Sequence, residues 1–332
     1  MSSILPTLGK DVSIDIGSIQ TRLMGGTRGT VISEPSIIAT DTKQEKVVAV
    51  GDEAARLVLR MPDMWRPLTP LKDGFIVDYR VMHTMLSYFL NKVSNALRRA
   101  RVVVGVPCGM TDVEQRAMMD AVIQAGAREV FLIERPVAAA IGCGVPIFEA
   151  QGSMVIDIGG GTTDIAVLSL GDIVTSSSLK IAGDVMDADI IKFVKDKYKL
   201  LIGDRTAEQI KLEIGSAVKG SSDKTFEVRG RDLVTGLPHT ITITSNETEL
   251  ALRETCATIV KETKHVLEQT PPELAADIVS RGIFLTGGGA LLTGLDRLLE
   301  SELNVPVFVA DDALNCVANG CGVMLENLHY MK

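Results

Sequence analysis

The chain has little of what several functional classes require. Lys and Arg number 34 against 42 Asp and Glu, giving a formal charge of −8 and a pI near 5.2. A broad nucleic-acid surface needs the opposite field, so no nucleic-acid partner is expected. The four histidines are dispersed. The five cysteines (Cys108, Cys143, Cys256, Cys316 and Cys321) form an odd, scattered set without C-x-x-C spacing. That usage suits a reducing cytosol, with the thiols as small core residues. Cys316 and Cys321 have no His pair close in sequence, which argues against a metal site there. No apolar run reaches the length of a membrane span, and no signal peptide is visible.

What is present is a core-building sequence: 46% hydrophobic residues and mean hydropathy +0.23 over 332 residues, enough for two domains of ordinary size. Its centre is Gly152–Leu170, GSMVIDIGGGTTDIAVLSL, which reads as two strands joined by a glycine-rich turn. Without Cβ atoms, Gly159, Gly160 and Gly161 let backbone N–H groups approach an anion, and Thr162 and Thr163 add hydroxyl donors. Asp157 ends an apolar strand, where a buried charge is costly unless it faces a cation. A magnesium ion on nucleotide phosphates, reached through water, fits that position. A glycine-bulged hairpin with a structural Asp is the plainer alternative.

A second copy near the N-terminus favours the first reading. Val12-Ser13-Ile14-Asp15-Ile16 leads into Gly17, Ser18, Ile19 and Gln20, then a returning strand through Leu23. The repeat predicts duplicated domains facing each other across a cleft, each offering one Asp, Asp15 or Asp157, and one phosphate-gripping turn. A third glycine signal follows the short strand Ile283–Thr286. Gly287, Gly288, Gly289 and Ala290 open onto a helix-like Leu291–Leu299, where a base or ribose can approach backbone at a helix start.

Between these signals the pattern predicts strands over Val31–Thr40, Lys43–Val50, Val102–Val106, Val130–Ile133, Ile173–Ile181 and Val305–Val309. Helices are predicted over Asp52–Arg60, Val81–Val93, Pro136–Ile141, Gly183–Tyr198, Thr206–Val218, Glu249–Gln269 and Asn315–Asn327. Thr111-Asp112-Val113-Glu114 is a capping box for a helix to Gln124. Trp65–Pro70 reads as a rigid loop, and Phe226–Thr244 as a two-stranded ribbon. The methionine stripe Met82 and Met85 has the spacing of a core face. Glu208 and Lys211 share a helix face at i, i+3, as a surface ion pair would. Met1–Lys10 is mildly apolar, either a frayed end or a weak membrane-touching segment. Leu97, Arg98, Arg99 and Arg101 form a basic loop with one leucine, either a solvated turn or a contact to anionic lipid.

Together, IERPVAAAIG, SEPS at Ser33–Ser36, PLKDGFIVDY at Pro70–Tyr79, GVPCGMTDVE from Gly105, IGDRTAEQIKLEIG from Ile202 and RGIFLTGGGALL from Arg281 resemble the actin, sugar kinase and heat-shock chaperone superfamily. The closest resemblance, from about Asp11 to about Leu325, is to the MreB/Mbl family of bacterial actins. It implies an α/β fold of two duplicated actin-like, ribonuclease H-like domains around a nucleotide cleft. These would be residues 1–148, with a small subdomain at about 35–70, and 149–332, with one at about 186–248. It implies ATP or ADP with Mg²⁺. Gly183 and Asp184 would border the phosphates, and Glu208 and Lys211 would meet the ribose. It further implies self-assembly into filaments at the inner face of the cell membrane, with cell-wall morphogenesis membrane proteins as partners.

One departure bears on hydrolysis. In chains that resemble this one, the residue before the proline is a glutamate that holds the attacking water, helped by the first threonine of the turn. Thr162 is present, but the glutamate position is Arg135. Glu134 is one residue away, and successive residues entering a helix point about 100° apart, so it does not simply substitute. Arginine donates only, and cannot act as a base at neutral pH. It can pair with a γ-phosphate. The expectation is a nucleotide-dependent filament protein with slow hydrolysis at most. A non-polymerising ATP-binding regulator and, further off, a small-molecule kinase are the alternatives.

Overall fold

The computed structural model describes residues 11–25, 30–93 and 100–328. The basic loop residues Leu97, Arg98 and Arg99 and the first ten residues lie outside that range. Among the described residues, no helix is long and apolar enough to cross a membrane.

The chain divides into two compact units. The first contains β1 (Val12–Ile16), β2 (Gln20–Gly25), β3 (Thr30–Pro35), β4 (Ile38–Asp41), β5 (Val47–Val50), α1 (Asp52–Arg60), β6 (Trp65–Leu68), β7 (Leu71–Lys72), β8 (Phe75–Ile76), α2 (Tyr79–Val93), β9 (Arg101–Val106), α3 (Asp112–Gln124), β10 (Glu129–Glu134) and α4 (Arg135–Gly142). Its main sheet runs β10-β9-β1-β2-β3, with β9 parallel and β2 antiparallel to β1. Val12, Ile14, Val102 and Val104 join Met82, Met85, Phe89 and Leu90 of α2 in one buried cluster. The methionine stripe is therefore core. A smaller sheet, β5-β4-β6, packs with α1 through Ala39, Ala49 and Ala54.

The second unit contains β11 (Ser153–Ile158), β12 (Thr163–Ser169), β13 (Asp172–Leu179), α5 (Gly183–Tyr198), β14 (Leu200–Leu201), α6 (Asp204–Ile214), β15 (Thr225–Asp232), β16 (Pro238–Thr244), α7 (Ser245–Glu268), α8 (Pro272–Arg281), β17 (Ile283–Thr286), a 3-10 turn at Gly288–Leu291, α9 (Leu295–Leu303) and β18 (Val307–Val309). Its main sheet runs β13-β12-β11-β17-β18. Read from the other edge, that order repeats the first sheet: an antiparallel meander of three strands, then two strands parallel to the first. The duplication seen in two short sequence copies is thus a duplication of topology.

Several sequence expectations need correction. The boundary at 148/149 falls instead between Val145 and Pro146, and residues from Asn315 onward return to the first unit. The reason is a pair of glycines. A Cβ on Gly320, in the C-terminal helix Cys316–Glu326, would lie 1.7 Å from the Ala138 carbonyl oxygen. One on Gly142 would lie 1.9 Å from that of Cys316. The helix therefore rests on α4 backbone to backbone, a contact that hydrophobic spacing does not reveal. Trp65–Leu68 is not a loop but strand β6, paired with β4. The expected helix Thr206–Val218 is α6, which starts at Asp204 and stops at Gly215, where a Cβ would lie 2.3 Å from the Lys211 carbonyl oxygen. After the glycine run, the chain makes the 3-10 turn and begins α9 only beyond Gly294.

Helices α5 and α6 are tied by Lys211, whose Nζ donates to Asp187 Oδ2 at 2.8 Å and to the Gly183 carbonyl at 2.9 Å. Burial raises Asp187 from 3.8 to about 6, against the opposing pull of Lys211. The folded chain therefore holds this proton more tightly than the unfolded chain between about pH 4 and pH 6, and the group's contribution falls as pH rises through that window.

Two outcomes follow. Replacing Gly320 by Ala lowers stability by roughly 1–3 kcal/mol in urea unfolding, and an unchanged midpoint contradicts the contact. Measured against Asp187→Asn, the wild type gains about 2 kcal/mol as pH falls from about 7 to about 4; a constant difference contradicts the assigned shift.

Candidate functional site

Each unit carries its own half of the sequence-predicted set. In the first, β1 ends at Asp15 and Ile16, and the chain turns through Gly17–Gln20 into β2. The Gly17 N–H donates to the Gln20 carbonyl at 3.0 Å. In the second, β11 ends at Asp157 and Ile158, and the Gly159 N–H donates to the Thr162 carbonyl at 2.8 Å. The same hydrogen bond, at the same offset from the aspartate, closes both turns. The repeat thus extends to turn geometry.

The turn in the first unit is braced by segments that sequence reasoning used only as landmarks. Ser36 donates to the Gly17 carbonyl at 2.6 Å and shares a hydrogen bond of 2.7 Å with Thr21. The Gly74 N–H donates to Ser18 Oγ at 3.4 Å, and Gln20 donates to Ser33 Oγ at 3.1 Å. Ile19 remains partly exposed at the tip. Glu34 accepts from Lys92 at 2.5 Å and from the Asp52 N–H at 3.2 Å, capping α1. SEPS is therefore a scaffold: Ser36 shapes the turn, and Glu34 holds the small sheet's helix.

Asp15 is 7% exposed. Arg135 Nη2 lies 3.3 Å from its Oδ1, and Arg22 Nη1 lies 3.9 Å from its Oδ2. Arg135, itself buried, also donates to the Ile16 carbonyl at 2.6 Å. It is the first residue of α4, with Glu134 at the N-cap and Pro136 one position later than expected. Glu134 is half-buried. The Asp15–Arg135 contact was not foreseen. The available signal was the departure at position 135 itself, together with the parallel strands β1, β9 and β10, which bring the ends of β1 and β10 near each other.

In the second unit Asp157 is 3% exposed and accepts from Thr286 Oγ1 at 2.9 Å. Asp164 faces Asp157 in register across the hairpin and accepts from Thr162 Oγ1 at 3.1 Å. Thr163 donates to the Ile181 carbonyl. The start of α5 rests on the turn: the Gly183 N–H donates to the Gly159 carbonyl and the Asp184 N–H to that of Gly160, at 3.2 and 2.8 Å. Lys211 Nζ reaches the same place, 3.3 Å from a Cβ built on Gly183. Lys211 pairs with Asp187 there, rather than with Glu208 at i−3. Glu208 lies on α6, half-buried.

The third glycine run closes this half. A Cβ on Gly287 would lie 2.3 Å from the Ile158 carbonyl oxygen and 2.8 Å from Asp157 Oδ1. One on Gly289 would overlap the Ile158 side chain at 2.2 Å. Gly288 lies between them, and Ala290 is buried. These glycines let the 3-10 turn pass directly over the end of β11. In this unit, Asp157, the Gly159–Thr163 turn, the α5 N-terminus, Lys211 and Gly287–Ala290 therefore form one contiguous surface. It offers backbone donors, a lysine and a helix dipole to an anion.

The proposed lipid contact is reduced at its described end. Arg101 opens β9, and its side chain donates to Asp11 Oδ2 at 3.1 Å through Nε.

Comparison with known proteins accounts for the arrangement. The model of the family described as MreB/Mbl protein matches residues 9–332. The cell shape-determining protein Mbl of Bacillus cereus is 50% identical over 321 residues, covering 96% of both chains. The cell shape-determining protein MreB of Escherichia coli is 50% identical over 323 residues, covering 95% of this chain and 93% of its own. The structure of MreB5 of Spiroplasma citri bound to AMPPNP superposes with a TM-score of 0.93 at 36% identity, covering 98% of each chain. With the family model spanning nearly every residue and half the positions shared along the full length, this chain belongs to the MreB/Mbl family of bacterial actins.

Proposed function

We propose that the chain is an ATP-binding bacterial actin that polymerises into filaments and organises the machinery of cell shape. The observation that carries this reading is the duplicated strand–Asp–turn geometry in a chain half identical to cell shape-determining proteins. Nucleotide binding is supported by likeness to MreB5 of Spiroplasma citri, whose structures are described as bound to ADP and to AMPPNP.

On this reading the Gly159–Thr163 turn, with Gly183 and Asp184, binds the phosphates, and Gly287–Ala290 passes beneath the adenosine. Lys211 holds the α5 N-terminus in place through the Gly183 carbonyl. Glu208 is the α6 residue left to meet the ribose. Asp157 fits magnesium: it is a buried carboxylate at the mouth of the turn, held in one orientation by Thr286. It would hold the hydrated ion, which neutralises phosphate charge when bound. Nucleotide touching both halves would shift the population toward the polymerising conformer.

Hydrolysis is slow on this account. Thr162 is engaged with Asp164, and position 135 bears a guanidinium that cannot accept a proton. Attachment to the inner membrane face rests on the leucine and arginines at positions 97–99 and on the N-terminal segment. Cell-wall morphogenesis proteins are then the partners.

Electron microscopy with ATP and magnesium tests the assembly. Filaments are expected, whereas bound nucleotide without filaments selects the non-polymerising regulator. Phosphate release tests the slow step: Arg135→Glu is expected to hydrolyse at least about tenfold faster than wild type, within the range typical of a positioned general base. Equal rates would contradict the role given to position 135.

A further inference from the structure

The two copies of the turn differ most in charge. Across the β11–β12 hairpin the buried partner of Asp157 is another carboxylate, Asp164. Across the β1–β2 hairpin the partner of Asp15 is Arg22, and a second guanidinium, Arg135, reaches Asp15 from α4. Counting these side chains alone, the second unit presents −2 and the first presents +1. Neither guanidinium gives up its proton.

Magnesium binds through carboxylate oxygens and retained waters and demands near-octahedral room. Asp157 meets that description, but Asp15 does not. Each Asp15 oxygen already faces a guanidinium, Oδ1 at 3.3 Å and Oδ2 at 3.9 Å. Arg135 is further fixed by its bond of 2.6 Å to the Ile16 carbonyl, at the threshold of the Gly17–Gln20 turn. A Cβ on Gly105, the β9 residue in register with Asp15, would lie 3.9 Å from Arg135 Cγ and 3.0 Å from Val317 Cγ1. The arginine stem is thus packed against β9 in a buried place. A divalent ion brought to Asp15 would have to displace a buried, hydrogen-bonded cation.

We propose that Arg135 is the chain's own cation at the Asp15 copy, a phosphate-recognition residue that lowers the magnesium requirement for binding nucleoside triphosphate. The substrate class is the polyphosphate of a nucleotide with little or no metal. A planar guanidinium reads phosphate oxygens well, and its charge does not depend on free metal concentration. This inference rests on the nucleotide-binding reading above and goes beyond it, because slow hydrolysis alone is satisfied by any residue that is not a base.

The test is equilibrium binding of a fluorescent ATP analogue to the full chain, in excess magnesium and in EDTA. The wild type is expected to lose less than about threefold in affinity when magnesium is removed, and Arg135→Gln more than about tenfold. Arg135→Lys, which keeps the charge, is expected to stay near the wild type, a rescue that a merely structural role would not give. Unfolding curves establish that each variant is folded. Should Arg135→Gln not fold, the wild-type ratio still decides: a loss of more than about tenfold in EDTA overturns the inference. Equal ratios for wild type and Arg135→Gln overturn it too. Binding with strong magnesium dependence leaves the nucleotide reading intact, whereas no binding in either buffer overturns both.

Discussion

A carboxylate at the end of a central strand, with almost none of its surface in water, needs a partner, because an isolated buried charge costs far more than a fold can offset. The chain contains this problem twice and solves it differently each time. At Asp157 the partners are neutral: a threonine hydroxyl and a glycine turn packed above it. At Asp15 they are two arginines. Removing one partner of a buried ion pair typically costs about 3–5 kcal/mol, so Arg135 is held in place by stability as well as available for function. The consequence is asymmetry within a duplicated architecture. One half remains suited to a hydrated metal, and the other has become an anion-facing half with its own fixed positive charge.

The rest of the structure brings these two strand ends to their surroundings through close backbone approach. Gly287 and Gly289 let a 3-10 turn lie across Ile158, so that strand β17 delivers both Thr286 and the glycine run to Asp157. Gly142 and Gly320 let the C-terminal helix sit on α4, the helix that begins with Arg135. The C-terminal helix also brings Cys321 beside the Asp15–Arg135 pair. Burial, and then the Asp15 charge, push that thiol well above its usual range, with Arg135 opposing. The thiol is therefore inert packing, as the scattered cysteine usage implied.

Much of this was legible in the sequence because the signals were local. Asp52–Arg60, Gly183–Tyr198 and the capping box at Thr111–Glu114 follow from propensity, glycine and capping chemistry, and the structure has them at those residues. Two apolar strands each ending in Asp-Ile-Gly were enough to expose the duplication. What the sequence concealed was long-range. Trp65–Leu68 looks like a loop because Pro67 interrupts it, yet as strand β6 it pairs with β4. Lys211 has Glu208 as its helical neighbour, yet finds Asp187 on another helix. Arg135 and Asp15 are 120 positions apart. Their meeting depends on the order β10-β9-β1, which no window of sequence contains.

The most direct test is a crystal structure of the chain with a non-hydrolysable ATP analogue and manganese, the metal located by its anomalous signal. The account predicts a single ion on the Asp157 side, with the Arg135 guanidinium on phosphate oxygens or still on Asp15. An ion coordinated through water by Asp15, with Arg135 displaced from both the carboxylate and the nucleotide, would contradict it.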